Sequence, residues 1–158
     1  VMKHFFIILF LLLAAILQTT IAPFLSVRGA APNLILACAL ALTLLRGFKA
    51  SWFYVFLGGF FLDIYSGLPF GLVAISLIGA NYLVDWLDNN VFSNSKLGVK
   101  ICLIISGVLT FNFFLVILIN FFHLEETFAF EYLFWSAAYN SIIAILIFNG
   151  AKKIFYKT

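Results

Sequence analysis

Gly58-Gly59-Phe60-Phe61-Leu62-Asp63-Ile64-Tyr65-Ser66-Gly67-Leu68-Pro69-Phe70-Gly71 sets a carboxylate inside an apolar run, then a Gly-Leu-Pro-Phe-Gly segment that leads into a second apolar run. The surrounding chain gives that acid its meaning. Of 158 residues, 65% are hydrophobic and 9% are charged, against about 25% charged in a soluble domain. Such a chain needs lipid around it. It reads as an all-α integral membrane protein in one domain, residues 1–158. A charged side chain at the centre of a membrane helix costs about 2.5–3.5 kcal/mol, so an acid kept there has a purpose.

Outward from that stretch, six apolar runs reach spanning length or approach it, at about 5–22, 32–45, 51–66, 69–87, 98–122 and 128–149. Pro23 ends the first run. Pro32 and Asn33 open the second, since proline in a first helical turn sacrifices no hydrogen bond. Ser51 is the expected cap of the third. Gly67 and Gly71 have GxxxG spacing, but Pro69 lies between them, so a tight turn is expected there. Gly58 and Gly59 lie inside a run and mark a close helix contact.

Orientation follows from Lys and Arg in short loops. Six spans put Lys3, Arg46, Lys49, Lys96, Lys100, Lys152, Lys153 and Lys157 on one side and Arg28 alone on the other, which accounts for all nine basic residues. Both termini are therefore expected in the cytoplasm. Val1 stands before Met2, and the first run reads as a span. Removing it as a signal peptide would leave an odd number of spans and break the charge pattern. Glu125, Glu126 and Glu131 fall near the outer face. The basic side faces anionic lipid and does not read as a nucleic-acid site.

Few side chains carry chemistry. Asp63 has three open readings: a carboxylate satisfying donors at the start of the fourth helix or simply a snorkelling or solvated end residue, a docking or coupling residue for a partner helix, or a proton or cation relay. A relay wants a second ionisable group at similar depth, and the runs contain none. Asn81, Asp85 and Asp88, at i, i+4 and i+7, share one face of the fourth helix and read as a solvated helix end or a cytoplasmic contact. Asn112, Asn120 and Asn140 lie within the last two spans and suggest interhelical hydrogen bonds. Cys38 and Cys102 have no ligand spacing and read as packing residues. No GxSxG, HExxH or P-loop occurs, and no nucleophile has a base beside it. No enzyme, cofactor or metal is expected.

Pro32-Asn33-Leu34-Ile35, the basic turn after it, and the pattern in which Gly59 precedes Asp63 and is followed by Phe70-Gly71 resemble the MreD family of bacterial rod shape-determining membrane proteins. The length, the six runs and the basic C-terminus agree. The resemblance implies a non-enzymatic scaffold in the bacterial inner membrane that binds MreC, a single-span protein. Through MreC it helps couple MreB filaments to RodA and a penicillin-binding transpeptidase in lateral peptidoglycan synthesis. It also implies a fold similar to the substrate-binding subunits of energy-coupling-factor transporters. Gly59, Asp63, Gly67, Pro69, Phe70 and Gly71 are the expected partner-binding residues. Self-association is left open. The alternative function is a vitamin-binding transporter subunit. Those subunits carry an Ala-x-x-x-Ala contact on the first helix, whereas here Ala14 and Ala15 have Gln18 where the second alanine would fall, and Ala37 and Ala41 lie on the second helix.

Overall fold

A computed structural model describes residues 2–26, 30–92, 97–123 and 130–156. Arg28, Glu125, Glu126, Lys157 and residues 93–96 of the loop after Asp88, Lys96 among them, lie outside the described residues. Six α-helices follow one another: α1 (Met2–Thr20), α2 (Leu34–Arg46), α3 (Phe48–Ser66), α4 (Leu72–Asn90), α5 (Leu97–Phe121) and α6 (Phe130–Tyr156). A single 3-10 turn, Ala22–Leu25, follows α1 and contains Pro23. Two stretches, Leu97–Phe121 and Tyr132–Lys153, are long and apolar enough to cross a membrane by length and composition.

The bundle is built around its shortest α-helix. Every residue of α2 from Ile35 to Leu44 is buried, as expected of a helix that is apolar all round. It touches all five of the others. Its 13 residues rise about 20 Å, short of the roughly 30 Å hydrocarbon core. A short helix is tolerated there because protein, not lipid, surrounds its ends. Leu36 and Leu40 of α2, Leu77 and Val84 of α4, Ile104 and Val108 of α5, and Phe148 of α6 form one continuous core.

Several helix starts differ from the sequence expectation. Pro32 precedes α2 and does not open it; Asn33 is the cap, with its side chain accepting from the Leu36 N–H. One residue, Gly47, joins α2 to α3 at φ 79°, a backbone conformation that glycine reaches without strain. As a result α3 begins at Phe48, and Ser51 is not its cap. Ser51 is buried and its hydroxyl donates to the Gly47 carbonyl. The turn expected at Gly67–Gly71 is present: Gly67 ends α3 at φ 70° and Gly71 starts α4 at φ 101°.

Candidate functional site

Asp63 sits one turn before the end of α3, and its side chain turns inward. It is 4% exposed. One carboxylate oxygen accepts from the Val73 N–H at 2.9 Å and the other from the Ala74 N–H at 3.2 Å. Those amides belong to the first turn of α4, whose own cap, Gly71, has no side chain to offer. A helix start leaves its first amides without partners, and its dipole favours a negative charge. Asp63 meets both needs from the neighbouring helix. The first of its three open readings, satisfying donors at the start of the fourth helix, is the arrangement present.

Close approach makes this reach available. A Cβ on Gly59 would lie 2.7 Å from the Ala74 Cα, so α3 and α4 meet almost backbone to backbone. A Cβ on Gly58 would lie 2.7 Å from Cγ2 of Ile35 on α2. The face of α3 that carries Gly59 and Asp63 is therefore covered by α4 of the same chain. Both residues are buried there. The turn behind them is outward. Phe70 is 66% exposed and stacks edge-to-face on Phe60 of α3 at 5.3 Å and 84°. Trp52, Phe53 and Phe56 extend the exposed aromatic row along α3.

The opposite end of the same helix pair repeats the device in reverse. Asp85 of α4 accepts from the Phe48 N–H, the first residue of α3, at 3.0 Å. Each helix of the antiparallel pair thus supplies the acid that caps the other. Lys100 of α5 donates to the Leu44 carbonyl at 3.0 Å, in the last turn of α2, where a cation complements the dipole. Asp88 lies 3.9 Å from the same ammonium group. Asn81 is a correction to the proposed cytoplasmic face. It is 0% exposed, accepts from the Thr43 hydroxyl at 2.8 Å, and donates to the Leu77 carbonyl. The helical spacing groups Asn81 with Asp85 and Asp88, but Asn81 lies a turn or more deeper and is enclosed by α2.

A cavity of about 560 Å³ lies at the other end, where α2 and α4 begin. Gln18 of α1 accepts from the Ile35 N–H, and Asn140 of α6 accepts from the Asn33 N–H at 2.6 Å. These two side chains join α1 and α6 to the start of α2. Asn140 therefore makes the interhelical bond expected of it. Asn120 does not; it donates to Val116 on its own helix. Asn112 faces the cavity with a buried amide nitrogen that has no partner. Sequence reasoning placed Asn112 and Asn140 in spans but gave no sign that they line one space.

The polar groups inside the bundle are thus spent mainly on one another, as caps and cross-links. Among the described residues no nucleophile and base come together, and no group of three or more His, Cys, Asp or Glu could hold a metal. No curated protein and no solved structure matches this sequence. A family model described as rod shape-determining protein MreD matches residues 1–155. With essentially its whole length matched, this helical membrane protein belongs to the MreD family of rod shape-determining proteins.

Proposed function

We propose that the chain is a non-enzymatic scaffold of the rod elongation machinery, binding an MreC-like single-span protein and linking MreB filaments to RodA and its transpeptidase. The observation that carries this reading is the family match across residues 1–155. The internal use of Asp63, Asp85, Asn81 and Asn140 supports the scaffold reading, because these groups hold helices together. The partner contact belongs on the exposed aromatic row that ends in Phe60 and Phe70. Gly67, Pro69 and Gly71 shape the turn that presents Phe70, and Gly59 and Asp63 brace it from behind. A cytoplasmic contact belongs at the polar end of α4, from Asp88 to Asn90.

Six crossings with both termini cytoplasmic, in the inner membrane, complete the proposal, together with the fold similar to transporter substrate-binding subunits. The described basic residues support this orientation. Arg46, Lys49, Lys100, Lys152 and Lys153 all fall at the end of the bundle away from the cavity. The test is complementation. Cells of the native host deprived of this gene should round up, and a plasmid copy should restore rods. Cells that keep their shape but lose uptake of a vitamin would point to the transporter reading instead.

A further inference from the structure

Gln18, Asn33, Asn112, Tyr132, Ser136 and Asn140 are among the polar residues that line the cavity, to which all six helices contribute, and Leu62, Phe111 and Leu115 are among its apolar lining. Its volume, about 560 Å³, falls in the usual range for small-molecule sites, roughly 300–1,000 Å³. Three of the acceptor oxygens among these polar residues are already engaged. The Gln18 oxygen takes the Ile35 amide and the Asn140 oxygen takes the Asn33 amide. The Asn33 side-chain oxygen takes Leu36. What stands open is a donor: the Asn112 amide nitrogen, buried and without a partner. Leaving such a group unpaired is costly, and native proteins seldom retain one without a reason. Among the described residues no Lys, Arg, His, Asp or Glu lines the space, so a charged ligand would lose its hydration with no counter-charge from them to replace it.

We propose that this cavity binds an uncharged amphipathic ligand, with a carbonyl or hydroxyl oxygen of the ligand accepting from the Asn112 amide and its apolar body against Phe111 and Leu115. The ligand enters from the membrane, as a neutral glyceride does, or from water, as a small neutral amide does; the chemistry at Asn112 is shared. Binding here is separate from the partner contact proposed at Phe60 and Phe70, and each stands without the other.

The experiment uses the full chain in lipid nanodiscs with two photoreactive probes, a diazirine-tagged dioctanoylglycerol and a diazirine-tagged butanamide. Crosslinks are mapped by mass spectrometry. At least one probe should label Leu115, Val116 or Leu133 well above the lipid-exposed Leu109, Ile142 and Leu146, and the probe that does so identifies the source. Asn112→Leu should lower that labelling about tenfold, the effect of one lost hydrogen bond of ordinary strength. The same variant should raise the melting temperature of the ligand-free protein, because it removes an unpaired buried donor. A purely structural Asn112 would instead lower it. Leu115→Trp, which fills the apolar side, should abolish labelling and serves if Asn112→Leu does not fold. Labelling of the cavity no stronger than that of the lipid face for both probes overturns the proposal. So does undiminished labelling in a folded Asn112→Leu or Leu115→Trp protein.

Discussion

At the residue scale, Asp63 shows how an expensive group becomes a stabilising one. The membrane penalises its charge, but two amides of α4 and the positive end of that helix receive it. Asp63→Leu leaves both amides buried without acceptors, at a cost of roughly 2 kcal/mol or more. Asp63→Asn keeps one acceptor and turns its NH2 toward the other amide, so it should fall between the two. Thermal unfolding in detergent should rank wild type above Asp63→Asn above Asp63→Leu. Equal melting temperatures would remove the cap from the account. Gly59 and Gly58 make a matched test of packing. Gly59→Ala drives a methyl group into the backbone of Ala74, which cannot turn aside, and should cost about 1–3 kcal/mol. Gly58→Ala meets a side-chain methyl of Ile35, and Ile35→Leu, which lacks that methyl, should recover much of its loss. The acid, the glycines and the turn were legible in the sequence because each is unusual where it stands. Donors at the start of α4 were one open reading for Asp63, but the choice among the readings was not legible, because hydrogen bonds from Val73 and Ala74 depend on how α4 folds back.

At the scale of elements, the helices cap one another. The starts of α2, α3 and α4 donate hydrogen bonds to Gln18, Asn140, Asp85 and Asp63, and the end of α2 accepts one from Lys100, all on other helices. In water, local Ser, Thr, Asn or Asp residues usually serve. Inside a bilayer an uncapped end has no solvent to fall back on, so neighbouring spans supply the groups. This explains why Ser51 misled: its spacing suits a local cap, but Asp85 had already taken the Phe48 amide. Asp85→Ala should cost about 1 kcal/mol. Phe48 and Asp63 stand at opposite ends of α3, so the two caps are separated by roughly 22 Å. The losses in Asp85→Ala/Asp63→Leu should therefore add within about 0.5 kcal/mol, measured as the shift in unfolding midpoint. A double variant no worse than Asp63→Leu alone would show that the two caps are not independent. Helix positions were legible to within a few residues, apart from the end of α6, which runs on to Tyr156, because hydrophobic length is a local property. The central placement of the short α2 was not, beyond the hint of its alanines, because burial on all sides depends on five partners at once.

At the scale of the whole molecule, charge distribution and family membership point the same way. A periplasm-active reporter fused after Thr158 should be inactive, and one inserted after His123 should be active; the reverse pattern would invert the bundle. The family was legible because Gly59, Asp63 and Phe70-Gly71 stand out against an apolar background. The proposed partner surface was only half legible, since the acid that draws attention is buried and the aromatic row beside it looks like ordinary lipid-facing bulk. The account holds that Asp63 braces a face and that Phe60 and Phe70 present it. Co-purification of an MreC-like single-span protein with wild type and with Phe60→Ala/Phe70→Ala, both shown to be folded and inserted, tests this most directly. The account expects the partner to come down with wild type and to be lost by about thirtyfold in the double variant, as for a hot spot of about 2 kcal/mol. Recovery of the partner at the wild-type level by a folded double variant would contradict it.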